Sequence, residues 1–412
     1  MNILVAVEEF RIGGAQTFAL RLAQALHEAG HRVYLYNMYW QYTEHDLVRR
    51  LAPDVELLQY QPISKKTDTI LLRADDWVQR QGWEINLRGK TLRNHLRQSI
   101  IEKKIEVVSS NTFKCDYLLS QVLKEFPLVP LIVTMHGDYE QFLVFYRQKQ
   151  HYVIPNYIRK LAETIARVNG IAYLSEQNLE VIQPDVVSVS STHIQIRRIY
   201  NGLEGRFSTD APNYSRKQLN IEPTALVFGM VARGVPEKGW EPVINAYQRF
   251  RQVTERSTNL VLVGASPFLD QLRETYRADE TIRFLGFVNN PIDCATSFDV
   301  GILASSLKES LPNSIAEYLF CGKGVISTDV GEIRQMILTD EGQEAGLLID
   351  FPIQGLADVE QLYQAMRRYA EEDGLLDNHQ TLAPQAFAKF EMSRCVRAYI
   401  RLYEDCAKTL VK

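Results

Sequence analysis

The chain has 412 residues, enough for two or more domains that each bury a core. Apolar residues make up 46% and charged residues 23%, the profile of a soluble globular protein rather than a fibrous or disordered one. A formal net charge of −4 excludes nucleic-acid binding through the overall field, so any attraction to phosphate must come from a local cluster of cations.

The opening "MNILVAVEEF" has no basic segment, and its apolar run is too short for a signal peptide. No stretch approaches the roughly 20 apolar residues needed to span a bilayer, so a cytoplasmic location is expected. The five cysteines, Cys115, Cys294, Cys321, Cys395 and Cys406, are odd in number and lack metal-ligand spacing. Buried thiols in a reducing compartment, and no metal site, are expected.

Along the chain, short β-rich apolar runs alternate with helical patterns. The first half offers "ILVAV" (3–7), "RVYLY" (32–36), "IEVVSS" (105–110), "PLIVTM" (130–135), "GIAYLS" (170–175) and "IQIRRIY" (194–200). The second offers "ALVFGMVA" (225–232), "NLVLVGA" (259–265), "TIRFLGF" (281–287), "DVGILAS" (299–305), "GVIST" (324–328) and "GLLID" (346–350). Apolar runs of this kind between helices predict parallel strands covered on both faces. In "AQTFALRLAQALHEAG", Phe18, Leu22, Ala25, Leu26 and Ala29 recur at helical spacing and Gly30 ends the pattern. Two such series predict an α/β chain of two doubly wound parallel sheets, with ligands beyond the carboxyl ends of the strands in a cleft between domains. The polar stretch "STDAPNYSRKQLNIEPT" reads as the linker. The expected domains are 1–205, with a helix over 385–412 returning to it, and 206–384. In that helix, Phe390, Val396, Tyr399, Ile400 and Tyr403 are the expected buried face.

The motifs at strand ends carry the chemistry. After the first strand, Gly13 and Gly14 open a helix, where backbone could approach an anion; an ordinary tight turn fits them equally. The three-glycine dinucleotide spacing is missing and the second strand ends in Tyr36 and Asn37 rather than an acid, which argues against NAD. In "VTMHGDYE", His136 follows a strand directly, as a candidate contact to a reacting sugar or acceptor, or as a structural histidine. In "GMVARGVPEKGW", Arg233 and Lys238 leave a strand end on a loop loosened by Gly234 and Gly239. A planar guanidinium and a mobile ammonium together suit a diphosphate. Gly264, Gly286, Phe287 and Val288 also lie at strand ends, as turns or as the walls of a nucleobase slot.

"KESLPNSIAEYLFCG" (308–322) is the most specific stretch. Pro312 suits a first helical turn, Ser310 lies where it could cap free amides, and Gly322 suits the end. Glu309 then sits at the helix mouth, with Leu311 and Asn313 beside the proline, and Glu317 lies on the helix wall about 7 Å along the axis. Two carboxylates in a row can accept hydrogen bonds from hydroxyls while the mouth faces an anion. A nucleoside diphospho-sugar presents hydroxyls and a diphosphate in this way.

These motifs resemble the retaining nucleotide-sugar glycosyltransferases of GT-B fold, the "group 1" family, over nearly the whole chain. "ESLPNSIAE" is similar to the family's glutamate motif, "MVARGVPEKGW" to its Arg/Lys phosphate loop, "GGAQTFALRLAQALHEAGHRVYLY" to its glycine loop and helix, and "MHGD" to its histidine segment. "YNGLEGRF" is similar to its interdomain segment and "KFEMSRCVRAYIRLY" to its closing helix. The resemblance implies that Glu309 binds donor-sugar hydroxyls, Glu317 the ribose, and Arg233 and Lys238 the diphosphate of the leaving group. It implies that His136 contacts the sugar near the reaction centre and that Gly14 lies near donor phosphate or acceptor. Gly324 departs from the family's usual proline, and Glu332, Arg334 and Gln335 depart from its usual glycine, proline and glutamate, which leaves the donor's identity open.

The implied reaction is transfer of a hexosyl-type sugar, with retention, from a UDP- or GDP-linked donor to a hydroxyl acceptor in polysaccharide, glycolipid or glycoconjugate synthesis. Charge on the departing phosphate would be met by cations and amides, with no metal or other cofactor. Two basic stretches, 88–104 and the aromatic-rich 139–160, could rest on the inner face of an anionic membrane or be solvated helix faces. The rival readings are a sugar-nucleotide-binding protein without turnover and an epimerase or phosphorylase on the same fold.

Overall fold

Each apolar run quoted above contains a strand. The computed structural model describes residues 1–11, 13–62, 64–81, 88–150, 154–183, 186, 194–203, 214–307, 309, 311–352 and 354–411. The chain divides into two compact units, one of Met1–Gly202 with Met392–Lys412 and one of Leu203–Glu391.

The strands of the first unit are β1 (Asn2–Val7), β2 (Arg32–Asn37), β3 (Glu56–Leu57), β4 (Val107–Ser110), β5 (Leu131–Met135), β6 (Gly170–Tyr173) and β7 (Gln195–Arg198). They form one parallel sheet in the order β3-β2-β1-β4-β5-β6-β7. Only β3 is absent from the sequence reading, because two residues leave no apolar run. The second unit contains β8 (Leu226–Val231), β9 (Thr258–Val263), β10 (Ile282–Gly286), β11 (Val300–Leu303), β12 (Gly324–Thr328) and β13 (Gly346–Ile349). These are also all parallel, in the order β10-β9-β8-β11-β12-β13.

The side-chain period of two explains why β1 is apolar from Ile3 to Val7. Ile3, Val5 and Val7 enter a core shared with Phe18, Leu22 and Leu26 of the helix Gly14–Glu28, while Leu4 and Ala6 enter a second core on the other face. Ala29, expected on the buried stripe, is instead the exposed C-cap of that helix, since Gly30 turns the chain away at φ +89°.

The closing helix is Met392–Val411, shorter than the 385–412 expected, because Gln385 to Phe387 complete a preceding helix, Leu375–Phe387. Val396, Tyr399 and Tyr403 are buried in the first unit and Ile400 is partly buried, but Phe390 lies before the helix and is buried in the second unit. The Tyr399 hydroxyl lies 3.0 Å from Thr134 Oγ1 of β5, and Arg197 of β7 pairs with Asp405 at 2.5 Å.

The stretch read as a linker is not all loose connection. Residues 208–213 lie outside the described residues, whereas Arg216 donates to Asp299 at 2.7 Å and to the carbonyls of Pro223, Ala225 and Ser297. One guanidinium thus ties 214–225 to the second unit.

Candidate functional sites at the two switch points

Both sheets reverse strand order at their centre, between β1 and β4 in the first unit and between β8 and β11 in the second. A parallel sheet opens a crevice at the carboxyl end of such a point, because the two following loops run to opposite faces.

In the second unit the two loops are locked together. The Ser306 amide donates to the Glu237 carbonyl at 2.8 Å, and the Ser306 hydroxyl reaches the same oxygen at 3.1 Å. Gly239 has φ +87°, and a Cβ there would fall 2.2 Å from the Ala304 carbonyl oxygen, so only glycine allows the two backbones this approach. Trp240, fully buried at the start of the helix Trp240–Val253, donates from Nε1 to the Arg233 carbonyl at 3.1 Å and fixes the near end of the loop. The Tyr318 hydroxyl accepts from the Val231 amide at 2.7 Å and donates to the Ile302 carbonyl at 3.3 Å, holding the ends of β8 and β11 level.

On this frame Lys238 Nζ and Glu309 Oε1 form an ion pair across the switch point. Their side chains are only 10% and 13% exposed, so each charge leans on the other and on few waters. Arg233 is exposed at the end of β8, and Glu317 is half-buried on the helix Asn313–Phe320. Pro312 is the residue before that helix rather than within its first turn, with no side chain hydrogen-bonded as a cap among the described residues. Leu311 and Pro312 are half-buried and Asn313 is exposed, while Ser310 lies outside the described residues. The helix ends at Phe320, one residue before Cys321 caps it and Gly322 turns at φ +66°.

Gly264 and Gly286 meet through an amide-to-carbonyl bond of 3.0 Å, and Gly264 is further required because a Cβ would strike the Ala232 carbonyl at 2.5 Å. Phe287 beside them is 73% exposed and Val288 half-buried, so a large apolar ring stands unused by the core. The departure at Gly324 also has a structural reason. Its amide donates to the Asp299 carbonyl at 3.2 Å, which proline could not do, and a Cβ would lie 2.9 Å from the Tyr369 hydroxyl.

In the first unit the same position has a different chemistry. Gly13 precedes the helix Gly14–Glu28, and a Cβ on Gly14 would meet nothing within 4 Å, so packing does not demand glycine there. Phe18, one turn on, sets its ring edge against His136 with centroids 5.3 Å apart. His136 follows β5, and its Nε2 makes a long 3.4 Å contact with Asn111 Oδ1. Burial holds its imidazole down at about 4, so it is neutral at physiological pH.

The sequence reading missed the groups around this histidine. Asn111 follows β4, and its backbone amide donates to the Ala6 carbonyl of β1 at 3.0 Å. Asp138 accepts from the Phe113 amide at 2.6 Å and is pushed up to about 7 by burial, reinforced by Glu8 and Glu140. Asp116, buried beneath it, accepts from the Tyr139 hydroxyl at 2.5 Å and is raised well above the carboxylate range, first by burial and then by Asp138. The signals were present, an acid two places after His136 and an asparagine after "VVSS", but neither belongs to a motif.

The five thiols are free, four of them buried and Cys321 partly so. Among the described residues no helix is long and apolar enough to cross a membrane. The basic stretch 88–104 is the helix Gly89–Glu102, whose Leu92, Leu96 and Ile100 are core. Within 139–160, Tyr139, Leu143 and Tyr157 are buried and Val144 and Tyr146 exposed; residues 151–153 lie outside the described residues.

Residues 12–204 match the glycosyltransferase family 4 model, and residues 222–372 match the glycosyl transferases group 1 model. No curated protein matches the chain. Among solved structures, HepE from Anabaena in complex with UDP is 17% identical, over 97% of this chain and 99% of that one, with a TM-score of 0.67. A glycosyltransferase from Rickettsia africae is 16% identical, over 99% and 98%, with a TM-score of 0.68. WaaG, a glycosyltransferase involved in lipopolysaccharide biosynthesis, is 16% identical, over 97% and 99%, with a TM-score of 0.60. At these identities the structural likeness speaks for the fold. With both halves matched in order to glycosyltransferase families, and both sheets doubly wound, the chain belongs to the group 1 glycosyltransferases of GT-B fold.

Proposed function

We propose that the protein transfers a hexosyl-type sugar, with retention, from a nucleoside diphosphate donor to a hydroxyl acceptor, in the synthesis of a polysaccharide, glycolipid or other glycoconjugate. The observation that carries this reading is the Lys238–Glu309 pair, shielded from water at the switch point of the second unit, with Arg233 exposed earlier on the loop that carries Lys238. HepE, which shares the fold, has been solved with UDP and with UDP-glucose, which supports a UDP-linked donor for this chain.

The pair is a cation and an acceptor held ready for one ligand. When a sugar diphosphate enters, the ammonium and the Arg233 guanidinium donate to phosphate oxygens, where charge grows as the leaving group departs. Glu309 then accepts from sugar hydroxyls and Glu317 from the ribose. Leu311 and Pro312 lead into the helix Asn313–Phe320, whose first amides, from Asn313 on, are offered to the same phosphates. Gly264, Phe287 and Val288 form the base-binding wall, with the exposed Phe287 ring as its stacking face. The phosphate oxygen that leaves takes the acceptor's proton, so neither metal nor other cofactor is invoked. The first unit is the acceptor side, with Gly13, Gly14 and His136 as its contacts. Neutral His136 serves there as a hydrogen-bonding group rather than a cation. The protein works in the cytoplasm, with peripheral contact at the membrane's inner face as part of this reading.

A panel of UDP- and GDP-sugars, scored by thermal shift and nucleotide release, tests the donor assignment. One donor should stabilise the wild type and be turned over, unaffected by EDTA, with the product anomer matching the donor by NMR. Glu309→Gln should abolish that turnover. Turnover retained in the variant, or an inverted product, would contradict the proposal.

A further inference from the structure

The loops after β2 and β3 enclose a cavity of about 310 Å³, at the small end of the range for ligand clefts. Trp40 and Gln41 line it from the turn just past β2, and Gln59, Tyr60 and Gln61 from the segment that follows β3. Because the sheet is parallel, both segments leave at its carboxyl edge, the edge from which His136 follows β5. Backbone hydrogen bonds fix the first of them there. The Met38 amide donates to the Val7 carbonyl at 3.3 Å and the Tyr39 amide to the Glu8 carbonyl at 3.0 Å. The Phe10 amide donates to the Tyr42 carbonyl at 3.0 Å, and the Glu44 amide to the Phe10 carbonyl at 2.8 Å. The wall that carries Trp40 and Gln41 is thereby stitched to 7–10, the segment that runs on to Gly13 and Gly14. On the sheet, β2 and β5 are three strand spacings apart, about 14 Å.

The polar groups of this wall are held in set directions. Buried Asp68 accepts from Trp40 Nε1 at 2.7 Å, from Gln41 Nε2 at 2.9 Å and from Nε of the buried Arg88 at 2.8 Å. A carboxylate only accepts, so the amide nitrogen of Gln41 must face it and the carbonyl end is turned away. That oxygen, Oε1, is shielded from solvent and has no hydrogen-bond partner, which costs free energy until a donor arrives. Gln59 is oriented in a similar way. Its Nε2 donates to Thr43 Oγ1 at 2.8 Å, and the same hydroxyl accepts from Asn37 Nδ2 at 2.7 Å. No carboxylate lines the cavity, and its one permanent charge is the exposed Lys65, whose ammonium lies 5.3 Å from the centre of the Trp40 ring. A lone ammonium resting on an indole is a poor anion site. Two oriented carbonyl acceptors beside the Trp40 and Tyr60 rings suit instead a ligand with hydroxyl donors on its edge and C–H groups on its faces, which is a sugar ring.

We propose that this cavity is a distal subsite for an oligosaccharide acceptor. A sugar unit lies against the Trp40 and Tyr60 rings and donates hydroxyls to Gln41 and Gln59, while the end of the chain that reacts reaches the crevice between β1 and β4. The distance across the strands requires several linked units, so the protein extends an existing glycan rather than glycosylating a single sugar. This rests on the reading of the first unit as the acceptor side and deepens it by naming the substrate class.

The test places the labelled full chain on an array of glucose-, galactose- and mannose-based glycans, from monosaccharides to hexasaccharides. Trisaccharides and longer chains of at least one series should be retained, and monosaccharides at least tenfold more weakly. Gln41→Leu should weaken retention about tenfold, the factor that one hydrogen bond to a shielded acceptor is worth. Gln61→Trp, at an exposed position, narrows the cavity without touching the Asp68 anchor and should weaken retention by at least as much, so a folding defect in Gln41→Leu would not decide the matter. Thermal melts check that each variant is folded. Retention of no glycan of any length, equal retention of monosaccharides and longer chains, or retention that folded Gln61→Trp leaves unchanged would each overturn the proposal. Failure of the donor panel with glycan retention intact would instead count against the donor assignment alone.

Discussion

The two sheets share one wiring and hold opposite chemistries at the same place. In the second unit the crevice between β8 and β11 is spanned by Lys238 and Glu309, two charges in reach of one another. In the first, the crevice between β1 and β4 carries a glycine with room in front of it, an imidazole kept neutral, and buried acids kept partly protonated. The difference follows from surroundings. Opposite charges stabilise each other's ionised forms, whereas burial without a partner favours the neutral form. One crevice is suited to a highly charged ligand, the other to hydroxyls.

The largest way to break this contrast is at the pair itself. Lys238→Ala should lower turnover at least about a hundredfold and cost roughly 3 kcal/mol of stability, because Glu309 is left with little water. The double variant Lys238→Met with Glu309→Leu should recover most of that stability in denaturant melts while remaining inactive. Recovery of both would mean that the pair is structural.

Glycines sharpen the comparison next. Gly239→Ala should destabilise by about 2 kcal/mol or more, since a left-handed residue acquires a Cβ against the Ala304 carbonyl. Gly14→Ala should change stability by less than about 0.5 kcal/mol, because the space is open, yet raise KM. Thermal melts beside kinetics separate the two.

The pH dependence of stability should show opposed contributions from the first unit. His136 titrates at about 4 in the folded chain and near its ordinary 6.5 when unfolded. Between those values the unfolded state binds more protons, so this group removes stability as pH falls from 6.5 to 4. Asp138 runs the other way. Its folded value of about 7 lies above its ordinary 3.8, so its contribution is full below 3.8 and is lost as pH rises to 7. Asp138→Asn should therefore gain stability relative to wild type between pH 5 and pH 8 in urea melts. In the second unit, buried His379 is lowered to about 4, mainly by burial with help from Arg368, and His379→Asn should soften the loss on the acid side.

The smallest effect belongs to Phe287→Ala. The ring is mostly exposed, so the melting temperature should hold, while nucleotide affinity falls about threefold to tenfold with the loss of a stacking face.

The strands and the second crevice were legible because they are written locally. Parallel strands buried on both faces leave apolar runs, and the Lys238 loop and Glu309 helix are continuous motifs. The first crevice was legible only in outline. Gly13, Gly14 and His136 could be named, but Glu8, Asn111, Asp116 and Asp138 come from separate segments and meet only once β1, β4 and β5 are side by side. The two-residue strand β3 is too short to carry any pattern.

The most direct test of the central claim is hydrogen–deuterium exchange on the full chain, with and without the nucleotide sugar selected by the donor panel. Protection concentrated in 232–239 and 304–317, and lost in Glu309→Gln, is the predicted result. Undiminished exchange in both segments on saturation with the donor would contradict it.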